Sequence, residues 1–510
     1  MRNLRVHIVR LSLWNTAMRV LFVSPEYPDT FWSFKHALRF VAKKAAQPPL
    51  GLLTVASLLP AAWEKKLVDL NLTPLTSHDL QWADYVFLGG MSVQAESART
   101  VIARCNDLGK PIVAGGPLFT ARHEEFPGVD HFVLNEAEIT LPQFLEDLRE
   151  GHPGHLYTSD VWADLATTPL PMWELIDRHK YATMNLQYSR GCPYDCEFCD
   201  ITVLYGRQPR TKSAGQVIAE MDAVYRQGWR EHVFFVDDNF IGNKNKLKND
   251  VLPKIIRWME DHRHPFTLGT EASLNLSDDP ELLGLMSRAG FDEIFVGIES
   301  PNKTSLEECR KIPNKGRDLI GSVKILQNAG MQVQAGFIVG FDHDPPSIFD
   351  TLIGFIRESG IVVAMVGLLN APKNSRLYHR MGTEERLLNT FTGDNTDFSM
   401  NFIPKMNSTL LLEGYRKILA TIYSPKEYYR RVTDFLRTHE PLRQHRGPLR
   451  FAQFQALSRS MLLLGVIGKE RLYYWKLFFW SLFCRPRNFS TAMTLAIYGF
   501  HFRRVFEQYL

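Results

Sequence analysis

Cysteine is scarce in this 510-residue chain: there are six, and Cys105, Cys309 and Cys484 stand alone. A secreted disulfide scaffold would be denser and more evenly spaced, so that class is excluded and a reducing compartment is expected. No run of eighteen apolar residues occurs, so no membrane-spanning helix is expected. Strong charge of one sign is also missing. The formal net charge is only +4, too little to imply a nucleic-acid partner. Internal repeats and low-complexity tracts are absent, and 45% hydrophobic with 22% charged residues excludes a disordered chain. The opening MRNLRVHIVRLSLWNTA lacks the apolar run of a signal peptide. It reads as a disordered or misassigned leader before a fold that begins at Met18.

What is present is an alternation of short apolar runs with helical patterns, in a chain too long for one core. Runs at 19–24, 66–70, 85–88, 111–114 and 131–134, with a helix at 97–108, predict a doubly wound, Rossmann-like α/β domain over 18–150. Two Gly-rich turns follow its third and fourth strands, LGGMSVQ and AGGPLFT. They place Gly89, Gly90, Gly115 and Gly116 at the carboxyl edge, where such sheets bind ligands and where backbone can approach a flat or bulky group. No GxGxxG follows the first strand, which disfavours a dinucleotide. Residues 151–185, rich in Pro, Thr and Trp, read as a linker. Six further strand patterns, at 185–189, 232–236, 267–270, 293–296, 334–339 and 363–368, alternate with helices such as 213–227, 280–289 and 317–329. They predict a partial, open (β/α)6 barrel over 186–400. The remainder, 401–510, is an α-helical domain by composition, aromatic and basic.

One stretch carries the chemistry: SRGCPYDCEFCDITVLYGRQPRTKS, with Cys192-x3-Cys196-x2-Cys199 after the first barrel strand. Thiolates are the preferred ligands of iron–sulfur clusters, and three of them leave one iron of a [4Fe–4S] cube open. A structural zinc site needs four protein ligands, and no histidine lies in the loop. A dithiol redox pair would leave Cys192 idle.

This spacing, with Phe198 just before the last cysteine, resembles the radical S-adenosylmethionine (SAM) superfamily. The resemblance implies that the open iron chelates SAM and that an electron from a reducing donor cleaves it. The 5′-deoxyadenosyl radical so formed abstracts hydrogen from an unactivated carbon. Roles for later strand ends are implied as well. FFVDDNFIG places Asp237, Asp238 and Asn239 beside the SAM amino group, and GFIVGFD places Gly336 and Gly340 beside the adenine. GTEAS and VGIES put Glu271 and Glu299 at strand carboxyl ends, which face the site in a barrel. For each carboxylate a salt bridge or a helix cap is the alternative reading.

An α/β domain ahead of such a barrel resembles the cobalamin-binding branch of the superfamily, over about 18–400. In that branch the two Gly-rich turns and NEAE (135–138) lie under the corrin ring. DxHxxG is missing, which implies no protein histidine on cobalt. DTFWSF (29–34), QPPLGLLTVASLLP (47–60) and CDITVLYGRQPRTKS (199–213) are similar to the group that includes the hopanoid C-2 methylases. That likeness implies a methyltransferase using a [4Fe–4S] cluster, SAM and cobalamin on an unactivated carbon, with a hopanoid-like lipid as substrate. The alternatives are another radical reaction such as cyclisation or oxidation, a non-lipid substrate, or a binding protein without turnover. The expected setting is the cytoplasm, at the inner face of the membrane. The tail segments RLYYWKLFFWSLFCR and AIYGFHFRRVF have two readings, peripheral contact with a membrane interface and a helical cap on the barrel, and both can hold at once.

Overall fold

The computed structural model describes residues 17–388, 391–442 and 451–510, so the leader segment 1–16 lies outside the described residues. The first sheet has six strands: β1 Arg19–Ser24, β2 Glu64–Asp69, β3 Tyr85–Gly89, β4 Ile112–Gly115, β5 His131–Val133 and β6 Leu156–Tyr157. All neighbours are parallel, in the order β2-β1-β3-β4-β5-β6. Val20, Leu21, Phe22 and Val23 of β1 are all fully buried, as a strand covered by helices on both faces must be. The strand order reverses between β1 and β3, which puts the ligand edge at their carboxyl ends. Register sets Gly89 opposite Gly115, and Gly115 opposite Val133, along that edge. β6 falls within the stretch that composition reads as a linker. Its Tyr157 hydroxyl donates to Asp147 at 2.8 Å, tying it to helix Ala137–Glu150.

The second sheet contains β7 Met184–Leu186, β10 His232–Phe235, β11 Thr267–Glu271, β12 Phe291–Glu299, β13 Gln332–Val339 and β14 Ala364–Leu368. Its order is β14-β13-β12-β11-β10-β7, again wholly parallel, so each strand lies beside its neighbour in sequence. The barrel is open, because β7 and β14 do not pair. A small antiparallel ribbon, β8 Ser189–Arg190 with β9 Arg210–Thr211, brackets the cysteine loop. Along β12 burial alternates: Ile294, Val296 and Ile298 are fully buried against helices, while Phe295 and Gly297 keep partial access on the other face. That second face lines the lumen.

Helices start where the sequence offers caps. Ser213 accepts from the Gln216 amide ahead of helix Ala214–Arg226, and Asn407 accepts from the Leu410 amide ahead of Ser408–Ile422. The C-terminal helices cover the barrel's edge strand. The hydroxyls of Tyr415 and Tyr423 donate to the Val366 and Ala364 carbonyls of β14 at 2.9 and 2.6 Å. Buried Arg431 donates to the carbonyls of Ile361 and Ile422. An unpaired edge is thereby closed to other strands. No helix among the described residues is long and apolar enough to cross a membrane.

Candidate active site

The cysteine loop leaves β8 at Gly191, whose φ of +91° and surroundings both demand glycine. A Cβ there would sit 3.0 Å from the carbonyl oxygens of Tyr205, Gly206 and Gln208. Two carboxylates after β10 hold the backbone that enters the loop. Asp237 accepts from the amides of Tyr188 and Ser189 and, at 2.5 Å, from the Ser189 hydroxyl. Asp238 accepts from the Gly191 amide at 3.1 Å. The far side of the loop is fixed by the Glu197 amide, which donates to the Cys309 carbonyl at 3.0 Å. The Glu197 carboxylate in turn meets Arg380 at 2.7 Å. A loop tied to this many elements is preorganised.

The three thiols are near enough to feel one another's charge. Burial raises Cys196 to about 11, helped by Cys192 and opposed by Lys311. Burial also raises Cys199, with Cys196 and Cys192 adding to the effect, and raises Cys192. Among the described residues the trio of His, Cys, Asp or Glu donors gathered within 4.8 Å is Asp29, His36 and His501, and not the three thiols. Three thiols on one loop suit a cluster that leaves one iron open. Phe198 packs at the loop's edge, 6.4 Å from the Phe341 ring.

Around the loop lie the remaining carboxylates. Burial raises Asp237 to about 7 and Asp238 to about 6. Glu271, at the end of β11, is raised to about 8 by burial and by the charges of Asp238 and Asp237. Three carboxylates that resist ionisation together fit a cationic ligand such as an ammonium or sulfonium group. Asn239 turns its amide nitrogen toward Cys192 Sγ at 3.9 Å and accepts from the Ser273 amide at 3.1 Å. Asp237 and Asn239 are buried and occupied by these contacts, while Asp238 and Glu271 keep partial access. Glu299 is already engaged: it pairs with Lys311 at 2.6 Å, and its own φ is +64°.

The glycines divide by cause. A Cβ on Gly336 would press on Phe295 at 3.0 Å, beside Met365, so this glycine makes room for the Phe295 ring. Gly340 has φ +105°, and its amide donates to Asp344 at 2.9 Å. It is glycine because of the turn. In the first domain a Cβ on Gly115 would meet the Val133 carbonyl at 2.5 Å, one on Gly89 would meet Leu52 at 2.9 Å, and Gly116 has φ +85°. These three have reasons inside the fold. Gly90 has more room, with the Gln94 side chain 3.4 Å away.

Two features escape sequence reasoning. Lys311 lies in RKIPNKG, which has no motif to mark it. The second is a buried ion network between the domains. Arg190 bonds Glu136 at 2.9 Å and Glu138 at 2.8 Å, and Arg210 bonds Glu136 at 2.7 Å. Thus NEAE, read as part of the ligand edge, is joined to the residue two before Cys192. Arginine in SRGC was the available signal.

Residues 186–356 match the Radical SAM superfamily model, the class that the open parallel barrel and its thiol loop define. Residues 375–510 match a domain of unknown function, DUF4070. The chain is 39% identical to an uncharacterized methyltransferase, sll1242, of Synechocystis, over 95% of this chain and 91% of the relative. It is 33% identical to the hopanoid C-2 methylase of Rhodopseudomonas palustris, over 90% of this chain and 89% of that one. The fold is shared with TsrM from Kitasatospora setae, solved with cobalamin and a [4Fe-4S] cluster: TM-score 0.64, 14% identity, 97% of this chain and all of that one. The cobalamin-dependent SAM radical enzyme OxsB gives TM-score 0.62 at 15% identity, over 98% and 80%. The chain belongs to the family of radical SAM methyltransferases that includes sll1242 and the hopanoid C-2 methylase.

Proposed function

We propose that this protein is a cobalamin-dependent radical SAM C-methyltransferase that acts on an unactivated carbon of a hopanoid-like lipid. The observation that carries the reading is the convergence of two ligand edges. Glu136 and Glu138, which follow β5 of the first sheet, are bonded to Arg190 at the mouth of the barrel. A group held over the first sheet therefore faces one held by the cysteine loop.

Cys192, Cys196 and Cys199 would hold the [4Fe–4S] cluster, and Asp238, Asn239 and Glu271 would take the amino group of SAM. Gly336 and Gly340 would lie beside the adenine, as the family resemblance implies. The carboxyl edge at Gly89, Gly90, Gly115 and Gly116 would face the corrin, with no histidine at a DxHxxG position to bind cobalt. Together these cofactors would supply hydrogen abstraction and a transferable methyl group. The chain's own part is to position and shield. Phe234, Phe295, Ile338 and Met365 are partly accessible on alternating positions of the barrel strands. Trp32 closes over them, with its ring edge-on to Phe295 at 5.4 Å and its Nε1 donating to Met365 Sδ at 3.0 Å. This apolar middle layer suits a hydrocarbon skeleton and excludes water, while His232, Glu293 and Gln334 form a polar layer one step earlier on the same strand faces. The lipid reading requires the enzyme to work beside a bilayer, on its cytoplasmic face, with a reducing protein to supply electrons.

The test is product analysis with SAM carrying a trideuterated methyl group, a chemical reductant, cobalamin and extracted hopanoids. The reading expects a hopanoid that has gained the labelled methyl. Deoxyadenosine without methyl transfer would assign a different radical reaction, and methylation of polar substrates alone would remove the lipid.

A further inference from the structure

The C-terminal helices carry, we propose, a docking face for an anionic lipid bilayer. Helix Arg471–Cys484 has no polar face. Tyr474, Leu477 and Phe478 turn into the core. At 100° per residue Leu472, Phe479 and Phe483 form one stripe on the opposite side. They are 78%, 50% and 76% exposed. A helix apolar all round is normally covered all round, and here the protein covers half of it. The patch continues onto the preceding turn, Leu463–Ile467, where Val466 and Ile467 are exposed. Trp475 fastens the two parts together. Its Nε1 donates to the Gly465 carbonyl at 2.9 Å and its ring stacks on Phe479 at 5.5 Å. The result is one fixed surface rather than scattered side chains.

Charge selects the occupant. Between Pro441 and Phe506 the sequence has eleven lysines and arginines and a single acid, Glu470. That acid is buried and bonded to Arg503 at 2.7 Å. Lys469, Arg471, Lys476 and Arg487 are exposed and form no ion pair among the described residues. Apolar side chains bordered by unpaired cations match an interface with anionic headgroups. A 14-residue helix is about 21 Å long at 1.5 Å per residue, too short to span, so it lies along the surface. The two roles of the tail then coexist on opposite faces of one helix.

This deepens the lipid reading and rests on it for its purpose. The binding test uses no substrate, so failure of either leaves the other standing. The full-length, cluster-loaded protein is sedimented with phosphatidylcholine vesicles, with and without phosphatidylglycerol. It is expected to bind the anionic vesicles and to release with salt. Leu472→Glu with Phe483→Glu is expected to lower binding at least tenfold, with iron content and circular dichroism unchanged. Val466→Ser with Ile467→Ser, on the neighbouring turn, gives the same outcome if the first pair disturbs folding. Lys469→Gln with Lys476→Gln is expected to flatten the salt dependence. The proposal is overturned if anionic vesicles are ignored or if both apolar pairs bind as the parent does. It is equally overturned if the face proves to join two copies, seen as a concentration-dependent dimer that these variants dissolve.

Discussion

Lys311 Nζ lies 2.6 Å from Glu299 Oε1, and the same ammonium partly offsets the burial that raises the thiols of Cys192 and Cys196. Glu299 is buried and Lys311 nearly so, at 8% and 14% side-chain exposure, and a Cβ on the neighbouring lumen residue Gly297 would collide with either. The pair sets a fixed positive charge beside the place where three thiolates must form. Burial alone would lower Lys311, but Glu299 and the thiols reverse the effect and hold it charged.

Breaking this pair separates structure from chemistry. Lys311→Met leaves Glu299 buried without a partner and is expected to cost about 3–5 kcal/mol in chemical denaturation. Adding Glu299→Gln should recover most of that loss. Lys311→Met should carry a cluster of more negative reduction potential than the parent, because a nearby cation has gone, whereas the double variant loses an anion with the cation and should shift much less. Redox titration of the reconstituted proteins reads the second effect without reference to the first.

The cysteines make a sharper division. Cys192→Ala, Cys196→Ala and Cys199→Ala are each expected to abolish the visible absorbance and the iron and sulfide of a reconstituted cluster. Cys309→Ser should keep both, although Cys309 is buried close enough to raise its pKa through Cys196. A loss of iron in Cys309→Ser as large as in the other three would make it a fourth ligand.

If Glu271 takes the SAM ammonium as proposed, SAM binding is linked to protons. Its carboxyl is raised from 4.5 to about 8. A carboxyl raised in the folded state is easily accommodated when protonated, so stability is lost as pH climbs from about 4.5 to about 8. A bound ammonium should restore the ionised form, so SAM binding near pH 7 is expected to release a proton. Calorimetry in two buffers of different ionisation enthalpy measures that release. Glu271→Gln should bind more weakly and show no buffer dependence from this group.

The network between the domains predicts the opposite trend at low pH. Burial alone would raise Glu138, but the Arg190 guanidinium overrides it and holds the carboxyl at about 2. A carboxyl lowered in the folded state stabilises fully above its unfolded value and loses that contribution as pH falls from about 4.5 to about 2. The amount is roughly 3 kcal/mol at neutral pH. Glu138→Gln should remove this dependence. Arg190→Lys should destabilise the protein too, since one ammonium cannot reach two carboxylates as the planar guanidinium does. Acid titration of stability, followed by circular dichroism, checks both.

Much of this molecule is written locally. The apolar runs of β1, β10 and β13 predict buried parallel strands because each carries its pattern within a few residues. The three thiols fall within eight positions of one another, so a single loop presents them however the rest folds. Glu271 and Glu299 could be placed at strand ends by counting along one strand. What each of them meets there could not. Lys311 comes from the segment after the next helix, Arg190 meets carboxylates from a different domain, and β6 forms from two residues too few to show a period. The tail shows the same limit. Composition marks residues 471–485 as aromatic and basic, but a helix apolar on all sides gives no sign of which side the core will take. Packing against the neighbouring C-terminal helices decided that Phe478 turns inward, onto Phe489, and that Leu472, Phe479 and Phe483 stay outside. Sequence alone determined the kind of chemistry, since ligand type and spacing are properties of a short segment. Tertiary structure decided the charges around it and the surfaces left uncovered, because both depend on residues that only folding brings together.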